Sequence, residues 1–313
     1  MIKIKINIAI LSTVMTLFIA CGSDSNAIDS ATTPIVIIGP STVYIAKEQA
    51  SALHYSDDSE CPLYGWGELL PEFAKDEKQV FNYAQPGASA GRFTIPPEQR
   101  RADEQVLFGP QRDHYWAPTK EKMQALKKGI LLIQFGGNDA RHLQNEDYPL
   151  HEENNRSKPI IDYNHDGIGN EADRAQRDKL VENDFKKYLK FYIEEAKSLH
   201  FTPIMITSPS SRLKREGTNT LLYSREPFVT YMKELAQNEN IRVLDLNAKS
   251  IEVFESLSVP QLREQFADCY NKWNKRRETT HYDKDGARVV ASWIRDLACE
   301  DESSEVCRVF KGH

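Results

Sequence analysis

Four short apolar runs rich in β-branched residues recur along the chain: Ile35–Ile38, Ile130–Phe135, Pro203–Thr207 and Val243–Leu246. Short runs of this kind read as strands buried on both faces, the signature of parallel sheets rather than of antiparallel sheets with one wet face. Helical patterns fall between and around them, near Trp66–Ala74, Lys120–Lys128, Ala172–Leu199, Ser224–Gln237 and Gly286–Leu297. Strand, helix and strand in alternation require crossover connections, and right-handed crossovers place helices on both faces of the sheet. The pattern therefore predicts a three-layer α/β/α sandwich. In such folds the ligand site lies beyond the carboxyl ends of the strands.

The N-terminal segment carries Lys3 and Lys5, then a mostly apolar stretch from Ile8 to Ala20 that stops at Cys21. That stretch is shorter than the roughly 20 apolar residues a membrane-spanning helix needs, and fits a secretory signal over residues 1–21. Leu17-Phe18-Ile19-Ala20-Cys21 resembles a bacterial lipoprotein processing site, with Cys21 as the lipidated residue; the alternative is a secreted protein cut nearby. Export is expected either way, to a cell envelope or beyond it, with any membrane attachment through the lipid. Gly22 after the cysteine suits an outer-membrane destination. Residues 22–33 read as a tether and 34–313 as one large domain, with a monomer expected. The net charge of −6 and the lack of a basic stripe argue against a nucleic-acid partner.

Cys61, Cys269, Cys299 and Cys307 form an even set in an exported chain, which predicts disulfides. Three pairings are open. The short, acid- and serine-rich loop between Cys299 and Cys307 favours joining those two, leaving Cys61 for Cys269.

Chemistry concentrates in separated blocks. Ser41 follows the first strand, Asn82–Ser89 reads Asn-Tyr-Ala-Gln-Pro-Gly-Ala-Ser, residues 136–139 read Gly-Gly-Asn-Asp, and 278–281 read Glu-Thr-Thr-His. A serine needs a base to become a nucleophile, and the oxyanion it generates needs placed donors. The blocks supply these as Ser41, His281 as base and Glu278 as the carboxylate orienting it. The amides of Ser41 and Gly87 and the side chain of Asn138 are the oxyanion donors. Asp283 and Asp285 are alternative orienters. No catalytic metal or cofactor is expected.

These blocks resemble the SGNH (GDSL-like) hydrolase superfamily, and within it the rhamnogalacturonan acetylesterases. The matching stretches are Gly39-Pro40-Ser41-Thr42, Gly65-Trp66-Gly67-Glu68, Gly87 in its block, Gln134-Phe135-Gly136-Gly137-Asn138-Asp139, and Thr280-His281 with Asp285-Gly286-Ala287. The resemblance implies a flavodoxin-like parallel sheet and removal of acetyl groups from a polysaccharide such as rhamnogalacturonan. Three positions depart from it. Pro40 stands in place of an aspartate, Gly137 in place of a histidine and Glu278 in place of an aspartate. The alternatives are a weakly active polysaccharide-binding surface lipoprotein and a lipase or other acyl hydrolase of the same superfamily.

A second motif lies in an insertion over 140–175. Residues 162–173 place Asp162, Asn164, Asp166, Asn170 and Asp173 at loop positions 1, 3, 5, 9 and 12, with Gly167 at 6 and the Ile168 carbonyl at 7. This resembles an EF-hand loop of the dockerin kind and predicts a structural calcium ion; the alternative is a turn that binds nothing. A cohesin partner is not expected from a single loop.

Trp66, Tyr64, Trp116, Tyr115 and Tyr223 are candidates for stacking on sugar rings or for the core, with Trp116 in the 92–119 loop the foremost for stacking. Arg92, the Lys272–Arg277 cluster, Arg212, Lys214 and Arg215 are candidates for meeting an acidic polymer, or are solvated surface charge.

Overall fold

The computed structural model describes residues 33–45, 62–94, 115–139, 171–223, 225–271 and 276–312. Its centre is a wholly parallel sheet of β1 (Ile35–Ile38), β2 (Val80–Asn82), β3 (Gly129–Ile133), β4 (Phe201–Ile206) and β5 (Arg242–Leu244), in the spatial order β2-β1-β3-β4-β5. This is the flavodoxin-like arrangement, in which the chain winds outward in both directions from β1.

Side chains alternate across each strand, so the apolar runs feed two cores. Ile35, Ile37, Ile130, Leu132, Ile204 and Ile206 point to one face. There they meet the helices α1 (Trp66–Leu69), α6 (Leu246–Ser256), α7 (Val259–Phe266), α8 (Lys284–Ala298) and α9 (Glu305–Arg308). Val36, Ile38, Leu131, Ile133 and Met205 point to the other face. The helices covering it are α2 (Ala90–Thr94), α3 (Trp116–Leu126), α4 (Glu171–Ser198) and α5 (Phe228–Asn238). The expected three-layer sandwich is therefore the observed one.

Several elements differ from the sequence expectation. β2 is an edge strand of three half-buried residues, too short and too wet for a hydropathy pattern to mark. α6 and α7 are likewise additional; their starts are defined by Asp245, which accepts from the Ala248 amide at 3.2 Å, and by a Ser258/Gln261 capping box. A two-stranded antiparallel ribbon, Tyr270–Asn271 with Arg276–Arg277, precedes the last block. Trp116 is not on a loop: it opens α3, is 3% exposed, and packs against Tyr192 and Phe191.

Cys299 and Cys307 are disulfide-bonded as expected, tying α9 back to the end of α8. Cys269 is disulfide-bonded too, and Cys61, its expected partner, lies outside the described residues. The same holds for the expected signal segment with Cys21, the expected tether and residues 162–170 of the expected calcium motif, while Asp173 falls in α4 with its side chain outside the described residues. Among the described residues no helix is long and apolar enough to cross a membrane.

Candidate active site

Ser41 lies just past the carboxyl end of β1, in a turn where the amides of Val43 and Tyr44 donate to the Pro40 carbonyl at 2.9 and 3.2 Å. Proline serves there because the turn uses only its carbonyl, not the amide hydrogen it lacks. The Gly-Trp-Gly-Glu segment docks on this turn. The amides of Trp66 and Gly67 donate to the carbonyls of Thr42 and Val43 at 3.0 and 2.9 Å. Gly65 is required by the contact, since a Cβ at that position would lie 2.1 Å from the Val43 carbonyl carbon. Glu68 accepts from the amides of Gly65 and Ile45 at 2.6 and 3.0 Å. Burial pushes its pKa up, and those two bonds oppose the rise. Trp66 donates its indole N–H to Gln134 Oε1 at 2.7 Å, and Gln134 in turn donates to Thr42 Oγ1 at 2.5 Å. The residue after Ser41 is thus gripped through both its backbone and its side chain.

His281 closes on Ser41 from the opposite end of the chain. Its Nε2 is 2.8 Å from Ser41 Oγ, and its Nδ1 is 3.1 Å from Glu278 Oε2. The pair is secluded, with side-chain exposures of 12% for His281 and 4% for Glu278. Glu278 Oε1 accepts from the His281 amide at 2.7 Å and from the Thr280 amide. One Glu278 oxygen thus curls back onto its own turn while the other meets the imidazole. The alternative orienters have other tasks. Asp283 caps α8 by accepting from Gly286 N at 2.8 Å, and Asp285 pairs with Arg288 on the surface.

The glycine and asparagine blocks meet at the same edge of the sheet. Gly87, at φ 74°, follows β2 in a loop whose Gln85 amide donates to the Gly39 carbonyl at 2.8 Å. Asn138, beyond β3, donates its side-chain amide to the Ala88 carbonyl at 3.0 Å, a bond that uses one of the two hydrogens on that nitrogen. Asp139 cross-links the two loops: its Oδ1 accepts from Ala90 N at 2.8 Å and its Oδ2 from Gly136 N at 2.9 Å. Burial drives its pKa up to about 6 against those bonds. Asp139 belongs to the Gly-Gly-Asn-Asp block, but its tethering role is visible only in three dimensions. At Gly137 an added Cβ would meet only Ser208 Oγ, at 3.8 Å, so the absent histidine leaves space rather than relieving a clash.

Chemically, Nδ1–H donating to Glu278 leaves the Nε2 lone pair of His281 free to take the hydroxyl proton of Ser41. This is the arrangement of a nucleophile, its base and an orienting carboxylate. Among the described residues no cluster of three or more His, Cys, Asp or Glu side chains forms a metal site.

The remaining candidates separate by burial. Trp66, Trp116 and Tyr223 are core residues, while Tyr64 and Tyr115 are half-buried. Arg212 is not surface charge but 5% exposed. Lys214 donates to the Leu257 carbonyl, Arg215 is exposed, and Arg277 pairs with Asp268. The Arg92 side chain and residues 272–275 lie outside the description.

A parallel sheet in the order 2-1-3-4-5, with the serine, glycine and asparagine blocks following β1, β2 and β3 and the histidine bonded to the serine, defines the fold class of the SGNH hydrolases. The chain belongs to the GDSL-like lipase/acylhydrolase family, whose model matches residues 35–294. It is 24% identical over 261 residues, 79% of this chain and 94% of the relative, to the "Probable rhamnogalacturonan acetylesterase YesY" of Bacillus subtilis (strain 168). Among solved structures it resembles protein YxiM of Bacillus subtilis, with TM-score 0.53 and 17% identity over 88% of this chain; the chain spans 58% of that protein's structure. The acetylxylan esterase Axe2 of Geobacillus stearothermophilus aligns with TM-score 0.43 and 14% identity, over 85% of this chain and 93% of Axe2.

Proposed function

We propose that this chain is an exported carbohydrate O-acetylesterase that releases acetate from an acetylated extracellular polysaccharide of the rhamnogalacturonan type. The observation that carries the reading is the unbroken line from Ser41 Oγ to His281 Nε2 at 2.8 Å and from His281 Nδ1 to Glu278 at 3.1 Å. Ser41 Oγ attacks the acetyl carbonyl carbon as His281 takes its proton. The carbonyl oxygen becomes an oxyanion facing the Ser41 and Gly87 amides and Asn138 Nδ2. Collapse of the tetrahedral species breaks the bond to the sugar oxygen, which leaves with the proton from His281. A water molecule, deprotonated by His281, then attacks the acetyl-serine, and acetate departs as Ser41 recovers its proton. Glu278 keeps the imidazole in the required tautomer and stabilises its charged form.

The acetyl and polysaccharide parts of the reading are supported by the name of the 24%-identical relative, a probable rhamnogalacturonan acetylesterase, and by the motif resemblance. Export with Cys21 as lipid anchor, and a structural calcium ion held by 162–173, are supported by the sequence patterns. The test measures acetate release from acetylated rhamnogalacturonan, and from short- and long-chain esters, by the mature protein and its Ser41→Ala variant. Release from the polymer and from short esters, lost in the variant, is expected. Equal rates in the two proteins refute the mechanism, and a preference for long chains refutes the substrate class.

A further inference from the structure

We propose that Arg212 is a positioning residue that holds the Glu278–His281 pair in register with Ser41. Arg212 sits in the loop beyond the carboxyl end of β4 and is 5% exposed. Its backbone amide donates to the Thr279 carbonyl at 2.8 Å. Its Nη2 donates to the His281 carbonyl at 2.7 Å and to the Glu278 carbonyl at 3.3 Å. One residue therefore engages three carbonyls of the four-residue turn 278–281. The Glu278 carboxylate takes the amides of Thr280 and His281 from within that turn, so it is fixed from both sides.

The clamp has a firm base. The Ser210 amide donates to Ser250 Oγ of α6 at 2.9 Å, and Asn247 of the same helix donates to the Ser208 carbonyl at 2.7 Å. The guanidinium carbon lies 5.1 Å from the centroid of the Tyr282 ring, which packs the planar group against the residue following His281. A planar guanidinium delivers donors in fixed directions to two carbonyls, which a lysine ammonium on a flexible stem does less well. Its hydrogen bonds to the carbonyls of Glu278, Thr279 and His281 hold the turn that carries the base, so its action runs through that turn. The kinetic part of this proposal rests on the esterase reading; the structural part does not.

The experiment compares the parent with Arg212→Met, which keeps the stem and removes charge and donors, and with Arg212→Lys. The first readout is the downfield proton resonance of His281 Nδ1–H, bonded to Glu278, and its exchange rate with water. The second is kcat and KM for a small acetyl ester, per active site titrated with a serine-directed organophosphorus reagent. In Arg212→Met the resonance is expected to broaden or vanish, with kcat falling about 10- to 100-fold and KM held within about twofold, as for a base displaced by about an ångström. Arg212→Lys is expected to recover part of both, and carries the same comparison should the methionine variant not fold. An unchanged resonance with kcat per titrated site within about twofold of the parent in Arg212→Met, or in Arg212→Lys should the methionine variant not fold, overturns the assignment. Absence of Ser41-dependent turnover in the parent overturns the esterase reading alone, because the resonance still decides the role of Arg212.

Discussion

Replacing Asp139 by asparagine removes a charge from the point where the Gly87 and Asn138 loops are tied together. The Asp139 carboxylate is fully buried and accepts from Ala90 N at 2.8 Å and Gly136 N at 2.9 Å, with its pKa raised from 3.8 to about 6 chiefly by desolvation. Because the folded-state value lies above the unfolded one, the native protein holds a proton that the unfolded chain has lost between about pH 4 and pH 6. Stability from this group is therefore greatest below the unfolded pKa and falls as pH rises through the folded pKa. At about 1.4 kcal/mol per unit, the span from 3.8 to about 6 amounts to about 3 kcal/mol. Asp139→Asn cannot ionise, so it lacks that decline. It also has one carbonyl oxygen where the carboxylate has two, which deprives one of the two amides of its acceptor, an offset of about 1–3 kcal/mol that does not vary with pH. The assay is urea unfolding followed by tryptophan fluorescence at steps from pH 4 to pH 7. The stability of Asp139→Asn relative to the parent is expected to rise by about 2.5 kcal/mol across that range, with other titrating groups cancelling between the two proteins. Curves that stay parallel within about 1 kcal/mol would show that Asp139 does not titrate with a raised pKa in the folded protein.

Glu278→Gln is expected to lower kcat about 10³- to 10⁴-fold with little change in KM or melting temperature, since an amide stabilises the wrong imidazole tautomer; steady-state kinetics with a small acetyl ester checks this. Gly65→Ala, whose Cβ would fall 2.1 Å from Val43 C and 2.2 Å from Tyr44 N, is expected to cost at least about 1–3 kcal/mol and to lower kcat by shifting the nucleophile turn. Gly137→Ala, with its nearest neighbour at 3.8 Å, is expected to melt close to the parent in the same thermal scan. Chelation of calcium is expected to lower the melting temperature of the parent, because an ion that binds only the folded state stabilises it. Asp162→Ala removes the proposed ligand at loop position 1 and is expected to abolish that sensitivity.

The strands that build the two cores are legible because burial on both faces leaves only apolar residues to place there: Ile35–Ile38 is buried throughout. β2 escapes the same reading because an edge strand of half-buried residues carries no such constraint. The catalytic blocks are legible by residue type and spacing, and Glu278 rather than Asp283 or Asp285 reaches His281. What spacing does not convey is which polar residues turn inward. Arg212 lies in a stretch with Lys214 and Arg215 that reads as surface charge, yet it is buried against Tyr282. Trp116 reads as a loop aromatic, but its indole covers α4. Asp139 and Gly65 both stand in motifs the sequence displays, but each takes its role from a segment distant in sequence, Ala90 for the one and Val43 for the other, so the motifs do not announce that role.

In the proposed mechanism Ser41 carries the acyl group. Intact-protein mass spectrometry of the mature chain, quenched in acid during turnover of an activated acetyl ester, tests it most directly. The expected result is an acetyl adduct that peptide mapping assigns to Ser41, that disappears as substrate is exhausted, and that is absent from Ser41→Ala. Turnover without any adduct on Ser41, or an adduct of equal occupancy in Ser41→Ala, would contradict it.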